Sequence, residues 1–201
     1  GNDDVALTID KSTFEGLDSL SDLNLYGRFE SVNNFMRLAP GTFESVRSLT
    51  SLAVGKFELG VLSARLLGGL DSLQALIQHD STVPRLAPDA FAHMHPLDYL
   101  SRVGSTELGQ IERNSLRGLH NLTVLNLSSN AIALIEPGAF AHLTKLASLY
   151  IQSNRLRAMP VELLRGLDRL KQVYADFNQP GVSQTDADQI RAQMPKINFS
   201  C

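Results

Sequence analysis

Cysteine is nearly absent from this chain. Of its 201 residues only the last, Cys201, carries a thiol, and tryptophan does not occur. A lone thiol closes no internal disulfide and builds no cysteine-based zinc site, so the apolar core must hold the fold. The chain is long enough for that, and redox compartment stays open. No apolar run approaches the roughly 20 residues that cross a bilayer, and no signal-peptide pattern stands at the start. The opening Gly1-Asn2-Asp3-Asp4 reads as a trimmed terminus, which leaves room for a signal or anchor upstream. As it stands, the chain is expected to be soluble, with no membrane insertion. Positive charge is also scarce: the formal net charge is -3, the pI about 5.9, and no Lys/Arg cluster stands out along the sequence. A phosphate backbone would find no basic field here, which argues against nucleic acid as partner. No HExxH zinc motif, phosphate-cradling glycine loop or nucleophile elbow occurs. No cofactor, metal site or catalytic residue is therefore expected.

What the chain does have is a repeat. Leu122-Thr-Val-Leu125-Asn-Leu127-Ser-Ser-Asn130 recurs 24 residues later as Leu146-Ala-Ser-Leu149-Tyr-Ile151-Gln-Ser-Asn154, and again 24 later from Leu170 to Asn178. Weaker copies begin at Leu97, Leu73, Leu49 and Leu20, with spacings of 25, 24, 24 and 29 residues, which makes seven repeats after a partial one. Positions outside the seed align as well. One apolar column runs Ile9, Leu38, Leu62, Leu86, Ile111, Ile135, Met159; another runs Phe14, Phe43, Leu67, Phe91, Leu116, Phe140, Leu164. A third follows from Leu17 to Leu167. Such alignment marks stacked supersecondary units.

With its LxxLxLxxNxL seed and its Phe/Leu column, the chain resembles the leucine-rich-repeat family, in its 24-residue class. Asn130 to Leu143, with Pro137-Gly138-Ala139-Phe140, is similar to repeats of Toll-like receptor ectodomains and variable lymphocyte receptors. The resemblance covers about residues 5–178 and is strongest from Leu97 onward. It implies an α/β leucine-rich-repeat solenoid: a short curved arc with a parallel β-sheet on the concave face and loops and short helices on the convex face. Residues 1–201 are expected to form one domain. It would comprise a partial repeat over 1–19, seven repeats over 20–178, and a C-terminal cap over 179–201 with a helix and a final strand. The asparagine ladder is expected only at Asn130, Asn154 and Asn178, since Arg28, Phe57, Ser81 and Thr106 fill the earlier places; Gln78 also stands where an apolar residue is usual.

In LxxLxL the leucines face inward and the residues between them outward, so seven strands about 4.8 Å apart make a sheet roughly 30 Å across. Thr185 is expected to cap the C-terminal helix, with Ile190 and Met194 on one face, and Ile197 and Phe199 to close the exposed end of the core.

All four tyrosines, Tyr26, Tyr99, Tyr150 and Tyr174, fall on outward strand positions. Tyrosine suits a surface that is apolar at one end and wet at the other, and Tyr150 and Tyr174 should stand side by side, with Gln152, Asp176 and Phe177 on neighbouring strand positions. A second cluster joins Ile77, His79 and Asp80 to Lys56 of the preceding repeat. These eleven residues form the expected partner-binding face. The bland reading is that tyrosine covers sheet because it favours strands, and that Ile77 is one stray apolar residue among charges. His79-Asp80-Ser81 has the residue types of a hydrolase triad, but successive strand residues point to opposite faces. His93 takes the repeat position of His142 and reads as surface rather than metal ligand. Three sequons, at Asn121, Asn126 and Asn198, are formal; a glycan on Asn126 would obstruct the concave face.

The expected function is a non-catalytic recognition module for a protein or peptide. A carbohydrate or cell-wall binder is the alternative, as is the binding part of a larger receptor or enzyme. The resemblance points to the cell surface, the periplasm or the exterior.

Overall fold

The computed structural model describes residues 8–26 and 36–201. Eight short strands form one parallel sheet in the order β13-β12-β11-β9-β7-β6-β4-β2. They are β2 (Asp22–Tyr26), β4 (Ser51–Gly55), β6 (Ala75–His79), β7 (Tyr99–Val103), β9 (Val124–Asn126), β11 (Ser148–Tyr150), β12 (Gln172–Tyr174) and β13 (Asn198–Ser200). Each pairs with the strand of the next repeat, so residues 24 apart in sequence become lateral neighbours: Leu149 sits between Leu125 and Val173. The seven expected strands are present, and the cap adds the eighth.

On the opposite side the chain returns through shorter pieces. Thr8–Ile9 (β1), Met36–Leu38 (β3) and Phe57–Glu58 (β5) make a small parallel sheet, and Gln110–Ile111 (β8) pairs with Leu134–Ile135 (β10). Helix is sparse there, confined to single 3-10 turns at Lys11–Phe14 and Val161–Leu164. The only α-helix among the described residues is α1 (Gln184–Gln193) in the cap. The convex face is therefore built mostly of turns and strand pairs.

The core lies between these two layers. Phe43, Leu67, Phe91, Leu116, Phe140 and Leu164 are buried in an alternating Phe/Leu row, and Phe14 continues it by stacking on Phe43 with ring centroids 6.2 Å apart. The column from Val46 to Leu167 is buried too, but its first member, Leu17, is 44% exposed because no repeat covers it on that side among the described residues. Gly118 shows how tightly the layers meet. Its φ is +99°, and a Cβ there would lie 2.5 Å from the carbonyl oxygen of Phe91 in the preceding repeat.

The asparagine ladder connects the last repeats. Asn154 Nδ2 donates to the Leu127 and Ile151 carbonyls at 2.8 and 3.0 Å, while its Oδ1 accepts from the Ile132 N–H at 3.0 Å. Asn178 and Asn130 repeat the arrangement, so the buried backbone of each turn is satisfied by the next asparagine. In the earlier repeats serines stand in. Ser81 Oγ donates to the His79 carbonyl and accepts from the Phe57 N–H at 3.3 Å. Ser105, not Thr106, fills the place before Asn130: Ser105 is buried, and its N–H reaches Asn130 Oδ1 at 2.9 Å, while Thr106 is exposed. The extra residue of that repeat thus falls after Ser105, between the ladder position and Ile111. Arg28 lies outside the described residues.

Two polar side chains sit inside the core. Gln78 and Arg102 are register partners on β6 and β7, in the inward row otherwise held by Val54, Leu127, Ile151 and Ala175. Arg102 is 2% exposed. Its Nη2 donates to the Val83 carbonyl at 3.1 Å, whereas Nε and Nη1 have no partner among the described residues, and neither does Gln78 Oε1. Burial pulls the Arg102 guanidinium well below the ordinary arginine range, to about 10, so it is still a cation at neutral pH.

The cap differs from expectation in one detail. Ser183, not Thr185, is the N-cap of α1, and its Oγ accepts from the Asp186 N–H at 3.1 Å. Ser183 is the last residue with extended backbone; Thr185 is already inside the first turn, where its hydroxyl cannot reach the free N–H groups. Ile190 and Phe199 are buried and Ile197 half-buried over the end of the core.

Candidate binding face

Three rows of outward residues cross the sheet. The first holds Tyr99 between Ala75 and Val124; the second aligns Ile77, Ser101, Asn126, Tyr150, Tyr174 and Ser200; the third begins Tyr26, Gly55, His79, Val103. Tyr99 therefore lies in a different row from the other tyrosines. No lysine or arginine stands in these rows, and Asp22 and Asp176 are their only carboxylates. Small residues, Ser51, Ala53, Gly55, Ala75 and Ser101, fill much of the middle.

The C-terminal end carries the largest side chains. Tyr150 and Tyr174 stack with centroids 5.0 Å apart and an interplanar angle of 11°. Parallel rings that close cannot both lie flat on the sheet without overlapping, so they stand on edge, one face of each covered by the other. What they present outward is ring edge. Asp176 follows two residues beyond Tyr174 and accepts a hydrogen bond from Ser200 Oγ; Gln152, half-buried, follows Tyr150. Asn126 Oδ1 is engaged by the Ser128 N–H and hydroxyl at 3.0 and 2.7 Å.

The N-terminal end has a different device. The Tyr26 ring reaches toward His79, two strands away, with centroids 6.2 Å apart. It does so by lying across Gly55, where a Cβ would be 2.5 Å from Tyr26 Cδ1. Any side chain at position 55 would lift the ring off the sheet. Ile77 is half-buried in the row beside it.

Lys56, Asp80 and Phe177 are not strand residues. They take equivalent places just past their strands with φ of 62°, 48° and 58°, as do Ser129 and Ser153, and Gly104 holds the same place with φ 84°. This row turns the chain out of the sheet, so its side chains lie on the rim rather than on the face. Alternation from Gly55, His79 and Asp176 would turn the next residues inward, and the left-handed turn that begins there carries them to the rim instead. Phe177 is the least suited to this conformation, and it is 82% exposed. Beside it Arg155, Ser153, Asn154, Asn130 and Gln179 line an open depression of about 500 Å³.

His79, Asp80 and Ser81 are not assembled into a site, since Ser81 is buried and bonded to backbone. His93 Nε2 lies 3.2 Å from the Leu67 carbonyl oxygen. His95, His120 and His142 meet ring to ring at 6.5 and 6.0 Å, and among the described residues no His/Cys/Asp/Glu cluster has metal-binding geometry.

A family model described as leucine rich repeat matches residues 102–156. The chain is a leucine-rich-repeat solenoid. Its fold is shared with solved structures of low sequence identity. TLR13 in its complex with ssRNA13 superposes with a TM-score of 0.75 at 23% identity, over 86% of this chain and 23% of that one. The Toll–Spatzle complex of Drosophila, glycosylated form, gives 0.76 at 18% identity, over 86% and 22%. An internalin from Listeria monocytogenes gives 0.69 at 18%, over 96% and 51%. The solenoid thus spans from about a fifth to a half of the chains it matches. The curated proteins give no sequence match. No helix of the described residues is long and apolar enough to cross a membrane.

Proposed function

We propose that this solenoid is a non-catalytic recognition module that grips a protein or peptide through its concave sheet and adjoining rim. The observation that carries the reading is the make-up of the outward rows: tyrosines at both ends, small uncharged residues between them, and no cation. Depletion of charge with enrichment of aromatics is what separates the centre of a protein interface from ordinary surface. The sheet is preordered by its hydrogen-bond ladder, so a partner would not bear the cost of ordering it. Phe177, held exposed in a left-handed turn, extends the surface over the rim beside Gln152 and Asp176. In this reading Tyr26, Ile77, His79 and Tyr99 contact the partner at the N-terminal side, with Lys56 and Asp80 at its edge.

The ring geometry favours this over a carbohydrate ligand. A sugar stacks on an open aromatic face, and the facing sides of Tyr150 and Tyr174 cover each other, which leaves one side of each ring for stacking instead of two. A location outside the cell or on its surface, and a place within a larger receptor, are part of the same proposal, in keeping with Toll and TLR13 as fold neighbours.

Affinity capture from source extracts, with wild type beside a folded Tyr150→Ala/Tyr174→Ala variant, tests it. Retention of a protein partner by wild type and its loss by the variant is expected. Equal retention by both would move the site off the tyrosine patch, and binding on a glycan array in place of protein capture would support the carbohydrate reading.

A further inference from the structure

Along the sequence no basic cluster is visible, yet the fold builds one. Lys145, Arg169, Lys171 and Lys196 come from three successive turns of the solenoid and converge on an open depression of about 780 Å³ on the rim where the chain enters the strands. All four are exposed, and none forms an ion pair among the described residues. Lys145 Nζ donates to Asn121 Oδ1 at 2.7 Å, which holds it at the site without neutralising it. Asp168 supplies the one carboxylate. On a chain of net charge -3, four cations against one anion make a local inversion of sign. Its position matters as much as its charge. Lys171 immediately precedes the strand that carries Tyr174, so at about 3.3 Å per residue the basic depression begins roughly 10 Å from the tyrosine pair.

We propose that this rim binds an acidic protein segment, rich in Asp and Glu, of the partner whose uncharged part lies on the sheet. The inference rests on the protein-recognition reading above. Two features select an acidic peptide over nucleic acid or a sulfated glycan. Lys145, Arg169 and Lys196 make a row only about 10 Å long at the strand spacing, too short to follow a polyanion over many phosphates, and the negative charge elsewhere on the molecule opposes a long one. A short acidic stretch that meets the rim and then continues as neutral chain over the sheet avoids both.

The test uses a fluorescently labelled deca-glutamate peptide, with a single-stranded RNA oligonucleotide and a heparin fragment as comparison probes, read by anisotropy at low and physiological salt. The peptide is expected to bind wild type, to weaken with salt, and to bind a Lys171→Gln/Lys196→Gln variant roughly five- to tenfold more weakly, as two exposed charge contacts warrant. The Tyr150→Ala/Tyr174→Ala variant should bind the peptide as wild type does, so failure at the rim and failure at the sheet read out separately. Since Lys171 and Lys196 are exposed, an unchanged melting temperature certifies folding. No binding of the peptide, equal binding by the lysine variant, or tighter lysine-dependent binding of RNA or heparin overturns the proposal.

Discussion

Replacing Arg102 by leucine should make this protein more stable. The position is inward, on β7, in a row of apolar residues, and desolvation lowers the guanidinium from the ordinary arginine range to about 10. At about 1.36 kcal/mol per pH unit, that is a penalty of about 3 kcal/mol at neutral pH. Leucine removes it. Against this stand the hydrogen bond from Nη2 to the Val83 carbonyl, about 1 kcal/mol, and some loss of packing from the longer arginine stem. The Val83 carbonyl keeps a weak partner in Ser105 Oγ at 3.5 Å. A net gain of about 2 kcal/mol remains, which in a chain of this size raises Tm by roughly 4–8 °C. The pH dependence has a definite sign. Because the folded-state pKa is the lower one, the unfolded chain holds the proton more tightly, and wild-type stability rises as pH passes above about 10. The penalty is fully present at pH 7, and the gap between Arg102→Leu and wild type should be flat at neutral pH and narrow from about pH 10. Urea unfolding at pH 7 and thermal scans from pH 7 to 11 measure both. A variant less stable than wild type, or a gap that does not narrow, would refute the desolvation argument.

Two further outcomes follow from the geometry. Asn154→Ala leaves the Ile132 N–H buried without a partner, while the Leu127 and Ile151 carbonyls keep Asn130 and Asn178, and should lower stability by about 2 kcal/mol in urea unfolding, far more than removal of an exposed asparagine. Phe177→Asn places a residue that tolerates the left-handed region where an exposed aromatic now stands, so stability should rise by about 0.5–1 kcal/mol while capture of the protein partner weakens. A rise in stability with capture unchanged would remove Phe177 from the binding surface.

The leucine, Phe/Leu and asparagine columns made the solenoid legible, because burial repeats with the period of the chain and a period can be counted. The side-by-side placement of Tyr150 and Tyr174 followed from the same arithmetic. Three things were hidden. Gln78 stood out as polar in an apolar column, but Arg102 and Ser105 were passed over although they stand five and eight residues after Leu97, as Gln78 and Ser81 do after Leu73. Lys56, Asp80 and Phe177 looked like strand residues because their sequence carries no mark of where a left-handed turn begins; among the described residues the glycine that often announces one occurs in this row only at Gly104. The rim cations were invisible for a topological reason. Lys145 and Lys196 are separated by two turns of solenoid, and only stacking makes them neighbours.

The strand β13 has a consequence for how this molecule lives among copies of itself. It is the last of the parallel sheet, so its outer N–H and C=O groups have no partner strand among the described residues. A long, flat edge of this kind recruits other chains. This one is three residues long, with Pro195 and Lys196 just ahead of it and Arg191 of α1 over the Phe199 ring. Proline cannot donate to an incoming strand, lysine repels another copy of the same end, and the helix shields the one apolar side chain. Among the described residues the β13 edge is thus short, charged and shielded, and poorly suited to carry one molecule's sheet into the next.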